Sequence, residues 1–308
     1  MMPSIQLFAV VVLYKTAPHD SISVTSLQKA IDQLPAASGK VEVLLYNNTP
    51  GPSQVDPSSL PAHVRYESSG KNLGLAAAYN RALELAEGGG SQWLLTLDQD
   101  TVLPVEFLER LFVHIERLGR AESIAAVLPH VVAQGTKLSP TRYVLGAVRR
   151  PYPGDFNGIA GPHTFAFNSG ATLRIAALRE IGGYDPRFWL DYSDFSLFRH
   201  LEKRGKRFFI GGDIEVEHGF SMFDRVPKIT PERYSNIVSA GSAFWDMEMN
   251  TLAGLDHTAR LAFRYFKHLG RRGNPAFRKT TLNMLKKRLF HSKAYRIREW
   301  ERENAVKG

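Results

Sequence analysis

Trp93-Leu94-Leu95-Thr96-Leu97-Asp98-Gln99-Asp100 is the stretch on which the fold turns. Residues 93–97 form an apolar run that reads as a buried strand. Asp98 and Asp100 are two apart, and side chains two apart on an extended chain point to the same side. Two carboxylates thus leave the strand end together, where an open α/β sheet places its ligand site. Such a pair suits a hard divalent cation that keeps positions open for phosphate oxygens. The plainer alternative is an acidic turn before a helix opening near Pro104, and the flanking segments weigh toward the cation.

Working outward, strand-like and helix-like segments alternate. Gln6–Leu13 and Val41–Tyr46 are apolar and rich in β-branched residues. Between them Leu27, Ala30, Ile31 and Leu34 set a helical spacing over Ser26–Leu34. Gly74–Ala86 is rich in Ala, Leu and Glu and stops at Gly88-Gly89-Gly90. After Pro104, Leu108, Leu111, Phe112 and Ile115 share one helix face, and Ile124–Leu128 is a further short strand. Residues 133–165 read as loop with short strands. A helix over Ile175–Ile181 ends at Gly182-Gly183, and Asp191–Lys203 reads as another. Phe208–Ile210 and Ile214–Val216 read as two short strands, and the chain is helical from Pro231 onward. The alternation predicts an α/β fold with a mostly parallel central sheet flanked by helices. Residues 1–228 form the α/β domain and 229–308 a C-terminal basic helical extension.

A length of 308 residues with 44% hydrophobic content supports a sizeable core. The absence of cysteine excludes disulfides and cysteine-ligated zinc, and suits a reducing, cytoplasmic compartment. Leu7–Tyr14 lacks the basic stretch and cleavage site of a signal peptide. No apolar run approaches the roughly 20 residues of a membrane span. The net charge of +9 is uneven: residues 251–308 hold 15 Lys/Arg and 4 Asp/Glu, a net of +11, while the rest is near neutral. A local basic segment calls for an anionic surface as partner.

Several motifs follow in one order. The first strand ends at Tyr14, and the second ends in Tyr46-Asn47-Asn48-Thr49-Pro50. Asn72-Leu73-Gly74 leads to Asn80, followed by Asp98-Gln99-Asp100. Asn168-Ser169-Gly170, Gly182-Gly183-Tyr184-Asp185, Trp189-Leu190-Asp191-Tyr192-Ser193-Asp194 and His218-Gly219 complete the series. Over roughly residues 5–225 this order and spacing resemble glycosyltransferase family 2, the inverting nucleotide-sugar enzymes of the GT-A fold. The Asp191–Asp194 stretch is most similar to bacterial rhamnosyltransferases.

The resemblance implies roles. Tyr14, Asn47 and Asn48 border the nucleotide base, with Asn47 standing where the family usually has Asp. An amide can accept from a pyrimidine N–H and donate to its carbonyl. Asn72, Gly74 and Asn80 belong to a helix packed beneath the nucleotide, and Gly74 allows close backbone approach. Asp98 and Asp100, completed by His218, hold Mg2+ or Mn2+ against the donor diphosphate. Ser169 and Gly170 form the donor-side turn. Asp194 is the base that deprotonates the acceptor hydroxyl, at or beside a helix N-cap, and Asp191 is its rival. Trp189 and Tyr192 offer aromatic faces to a sugar ring or to the core. Ser196 replaces a second acid and His200 the family's usual Arg. The implied reaction moves a sugar, with L-rhamnose from dTDP-rhamnose the leading guess and UDP sugars next, to a hydroxyl of a glycan or lipid-linked acceptor for polysaccharide synthesis at the cell envelope.

In the tail, Arg260, Arg264, Lys267 and Arg271 share one helical face beside an apolar stripe of Leu261, Ala262, Tyr265, Phe266 and Leu269. Leu282, Leu285 and Leu289 lie opposite Lys279, Lys286 and Lys287. Amphipathic helices peripheral on an anionic membrane, at its cytoplasmic face, and helices packed on the main domain are both open readings. No recognisable nucleic-acid module is present. Two other functions remain open: a nucleotidyltransferase, against which Leu13-Tyr14-Lys15-Thr16 offers one Lys and no Gly, and a non-enzymatic membrane- or partner-binding protein on a retired transferase scaffold, which Asn47, Ser196 and His200 would suit.

Overall fold

A computed structural model describes residues 5–35, 37–53, 55–119, 121–144, 148–219, 229–270 and 274–304. The chain opens with β1 (Ile5–Leu13), α1 (Ile22–Gln33), β2 (Gly39–Asn47), β3 (Val64–Ser68), α2 (Gly74–Gly88) and β4 (Trp93–Asp98). Next come β5 (Thr101–Val102), α3 (Phe107–Leu118) and β6 (Ile124–Ala133). Short strands β7 (Thr136–Ser139), β8 (Thr141–Val144), β9 (Val148–Pro151), β10 (Gly158–Ile159) and β11 (Thr164–Phe165) precede β12 (Ala171–Arg174), α4 (Ile175–Ile181), α5 (Ser193–Lys203) and β13 (Arg207–His218). Four helices close the chain: α6 (Pro231–Glu248), α7 (Thr251–Lys267), α8 (Pro275–Phe290) and α9 (Lys293–Asn304).

The main sheet runs β10-β13-β6-β12-β4-β1-β2-β3. Its β3-β2-β1-β4 half is parallel, β6 and β13 are parallel, and β12 runs antiparallel between β4 and β6. Alternation along β1 builds two cores. Phe8, Val10 and Val12 pack with α2, α4, α5 and α6, while Leu7, Ala9, Val11 and Leu13 pack with α1 and α3. Helices on both faces of a largely parallel sheet give the expected α/β architecture. β8, β9 and β11 form a small second sheet. Its Tyr143 and Phe165 meet Trp245, Phe195 and Phe244 of α5 and α6 edge-on or stacked.

Several expected boundaries move for identifiable reasons. α1 begins at Ile22 rather than Ser26, because Ser21 caps it by accepting from the Val24 N–H. The helix expected at Pro104 begins at Phe107, whose N–H closes a turn onto the Pro104 carbonyl. Phe208–Ile210 and Ile214–Val216 are one strand, interrupted by a register shift between Ile210 and Glu215. Gly211-Gly212 is therefore a bulge inside a strand, where the Phe156 carbonyl leaves no room for a Cβ on Gly212.

The C-terminal helices depart most from the expected pattern. α6 carries Phe244 and Trp245 into the main core, and Trp300 of α9 joins them. Asp246 holds Arg288 Nη1 at 3.0 Å and Arg296 Nε at 2.7 Å, tying α6 to α8 and α9 from the inside. Two of the tail's cations are thus engaged in a largely buried ion triad. On α7 Leu261 is buried while Phe266 is exposed, and Leu269, in the turn beyond its end, is exposed as well, so the expected single apolar stripe is split. On α8 Leu285 packs inward and Leu289 faces out. Arg271 lies outside the described residues. Among the described residues no helix is long and apolar enough to cross a membrane.

Candidate active site

Parallel register brings three segments to one edge. Leu13 lies opposite Asn47, and Val12 opposite Asp98, so β1, β2 and β4 end together. Tyr14, Asn47, Asn48 and Asp98 leave the sheet side by side, at the carboxyl ends where such sheets bind ligands. The Asp98–Asp100 turn is pinned from α1. Ser23 Oγ bonds the Asp98 and Thr101 carbonyls, and Ser21 Oγ donates to the Gln99 carbonyl at 2.8 Å. Gln99 Oε1 in turn accepts the Tyr14 N–H at 2.7 Å. Sequence reasoning missed these braces; the signal was the run of small hydroxyl residues at the start of α1.

Asp98 and Asp100 meet across one imidazole. His218 Nε2 lies 3.5 Å from Asp98 Oδ2, and its Nδ1 lies 3.2 Å from Asp100 Oδ1. The pairing of β13 with β5, His218 opposite Thr101, holds the histidine against the acidic turn. Asp98 also accepts from Tyr79 at 3.2 Å and Ser169 at 3.0 Å. Burial pushes its carboxyl up, but the His218 bond and charge with the Ser169 and Tyr79 bonds bring it below the ordinary value. Asp100 is raised by burial and by Asp98, against the pull of His218. Burial lowers His218, yet Asp98 and Asp100 outweigh it and the imidazole titrates above its ordinary value. Among the described residues no group of three or more His, Asp or Glu side chains is arranged to hold a metal ion. The donor chemistry nevertheless fits Mg2+ or Mn2+: two carboxylates and an imidazole at one strand edge, with Tyr79 and Ser169 orienting Asp98.

Other expected residues are engaged with the protein itself. Asn48 donates to the Gly74 carbonyl at 2.9 Å and accepts from the Leu73 N–H, while Asn72 accepts from the Gly74 N–H. Asn47 closes a turn onto the Thr49 N–H. Gly74 has φ +83°, and a Cβ there would collide with the Trp189 carbonyl oxygen. The close approach at Gly74 is therefore to Trp189, whose carbonyl also accepts the Ala76 N–H. Asn80 pairs both ends of its amide with the Tyr184 backbone. Gly170, at φ +82°, sends its N–H to the Thr96 carbonyl and sets the turn that aims Ser169 at Asp98.

Asp194 is the second residue of α5; the N-cap is Tyr192, at φ +65°. Its Oδ1 accepts the Phe195 N–H at 2.8 Å. Burial is the main cause that pushes its carboxyl up to about 7, with Asp98 and Asp191 adding to it against the Phe195 bond. Asp191 is pushed up to about 6 by burial, against Arg233, whose Nη2 lies 2.9 Å from its Oδ1. Tyr192 packs on Phe195 and Phe244 rather than standing free. His200 binds Glu248 at 3.1 Å and Lys203 binds it at 2.6 Å, so this departure clamps α5 to α6. The assembly thus sets the buried Asp194 carboxyl, raised to about 7, within electrostatic reach of Asp98. Tyr79 and Arg233 belong to it and were not anticipated; neither stands in a motif.

The chain belongs to glycosyltransferase family 2, whose model matches residues 25–182, just over half of the chain. Its fold is the GT-A fold of the glycosyltransferases it resembles. Among solved structures it is similar to GalNAc-T7 with UDP, GalNAc and Mn2+, at 13% identity and a TM-score of 0.55, covering 97% of this chain and 58% of that one. It is also similar to S. aureus TarS 1-349, at 12% identity and a TM-score of 0.51, covering 96% of this chain and 89% of that one. A longer S. aureus TarS chain aligns at 12% identity and a TM-score of 0.54, over 97% of this chain and 54% of its own length. At such identities the likeness is one of fold. A comparison with curated proteins finds no match.

Proposed function

We propose that this protein transfers a sugar from a nucleoside-diphosphate donor to a hydroxyl of a glycan or lipid-linked acceptor, with inversion at the anomeric carbon. The observation that supports this most is the convergence of the β1, β2 and β4 ends on Asp98, Asp100 and His218, with Asp194 near enough that Asp98 contributes to raising it. The GalNAc-T7 structure holds UDP, GalNAc and Mn2+, which supports a nucleotide-sugar donor and a divalent cation here. A thymine or uracil base fits Asn47, whose amide can both donate and accept. dTDP-L-rhamnose is the first donor to test and a UDP sugar the second. We place the reaction at the cytoplasmic face of the membrane.

In this reading the acceptor oxygen attacks the anomeric carbon from the face opposite the diphosphate. Asp194 takes the hydroxyl proton as the new bond forms. Its raised pKa is what lets a carboxylate hold that proton near neutrality. The nucleoside diphosphate departs toward Asp98, Asp100 and His218. A divalent cation held by those three would supply stabilisation for the negative charge it carries away. Tyr79 and Ser169 keep Asp98 oriented, and Arg233 holds Asp191 beside the base. The test is incubation with dTDP-rhamnose or UDP sugars and glycan acceptors, reading free nucleoside diphosphate and, by NMR, the anomeric configuration of the product. A product with the donor's configuration retained would overturn the mechanism, and release from no donor would overturn the function.

A further inference from the structure

We propose that the outer face of α7 and the end of α8 form a docking surface for an anionic lipid bilayer. The most exposed large apolar side chains of the described residues are concentrated there. Phe290 is 78% exposed, Phe263 74%, Leu252 73%, Phe266 65%, Leu255 63% and Leu289 62%, whereas such residues in the α/β part reach only 47%. An isolated exposed apolar residue is ordinary, but a cluster of this size marks an interaction surface.

The cluster is ordered by the helix. Leu252, Leu255, Phe263 and Phe266 recur at steps of three, eight and three, which keeps them on one side of α7. The opposite side already has its core, because Ala253 and Leu261 are buried. The exposed stripe is therefore a second apolar face, not an inner one left uncovered. Arg288 reaches back from α8 to the Gly254 carbonyl at 3.0 Å and Thr258 Oγ1 at 2.9 Å. The turn carrying Leu289 and Phe290 thus lies against the half of α7 that carries Leu252 and Leu255.

Charge identifies the occupant. The segment from residue 251 onward carries a net +11 in sequence; Arg288 and Arg296 are taken up by Asp246, while Lys267, Lys279 and Lys286 are exposed on these same two helices. An apolar stripe flanked by cations is the arrangement by which an interfacial helix sits among anionic headgroups. A second copy of the chain would place this positive charge against itself, which disfavours a dimer through the same face. None of these side chains belongs to the Asp98–His218 cluster, so the surface can be tested without any transfer assay.

The experiment is flotation of the full chain with vesicles of phosphatidylglycerol and phosphatidylcholine, against vesicles of phosphatidylcholine alone. The full chain is expected to float with the anionic vesicles and to bind the neutral ones on the order of tenfold less, with salt weakening the former. Phe263→Ser with Phe266→Ser is expected to reduce binding by about tenfold or more while circular dichroism stays unchanged, since both rings are exposed. Should that pair unfold, Lys267→Gln with Lys286→Gln carries the same test, with a loss of roughly fivefold per charge. Failure of the full chain to float, or unchanged flotation of a folded variant, overturns the proposal. So does a dimer in lipid-free solution that the Phe variants convert to monomer while vesicle binding is unaffected.

Discussion

Asp194→Asn is the perturbation that tests the chemistry most finely. Burial raises this carboxyl first, then Asp98 and Asp191, to about 7 from an ordinary value of 3.8. The ionised form is the base, so its fraction grows as pH rises: about one tenth at pH 6, one half at pH 7 and nine tenths at pH 8. Transfer by the unaltered enzyme should therefore show an acid limb centred near 7, falling about tenfold per pH unit below it. Asn keeps the shape and a carbonyl oxygen for the Phe195 N–H but cannot take the proton. Single-turnover transfer at saturating donor should fall by roughly 10²–10⁴-fold, with donor affinity retained. Asp191→Asn removes one of the charges that raise Asp194, so its limb should move to lower pH while the plateau rate survives. A dead Asp191→Asn enzyme beside an active Asp194→Asn one would refute the assignment and move the base to Asp191, with a limb near its value of about 6.

Three further outcomes follow from the geometry. Asp246→Ala leaves Arg288 and Arg296 without their shared buried partner and should cost about 3–5 kcal/mol, read as a lower denaturant midpoint. Gly74→Ala places a methyl against the Trp189 carbonyl at a positive φ and should cost about 1–3 kcal/mol or more, read as a lower Tm. Because Asp98 and Asp100 hold His218 above its ordinary pKa, Mn2+ bound through that imidazole would compete with its proton; calorimetry in buffers of different ionisation enthalpy should detect proton release and an affinity that rises with pH.

The alternation of apolar runs and helical patterns was enough to read the parallel half of the sheet, because β1, β2 and β4 are buried on both faces and so are nearly continuous apolar runs. β3 escaped notice because Val64–Ser68 is an edge strand of mixed polarity. β12 is four residues long, too short to show a period. At the site, Asp98 and Asp100 were legible from their place at a strand end. His218, remote from them along the chain, was named only through the family's motif order; the pairing of β13 with β5 is what brings it beside the acidic turn. Tyr79 and Arg233 were not legible, because nothing local distinguishes a helix residue that reaches an acid from one that packs. The tail was legible only in part for a similar reason. Its charge pattern was visible, but Arg288 and Arg296 turn inward to meet Asp246, a partner on a different helix that periodicity cannot reveal.

Calorimetric titration of UDP and dTDP with and without Mn2+, on the unaltered protein and on Asp100→Ala, addresses the nucleotide-sugar reading most directly. At least one nucleoside diphosphate should bind the unaltered protein on the order of tenfold tighter with Mn2+ than without. Asp100→Ala should remain folded, since the side chain is 44% exposed, and lose that gain. Equal affinity with and without Mn2+, or no binding of either nucleotide under any condition, would contradict the account.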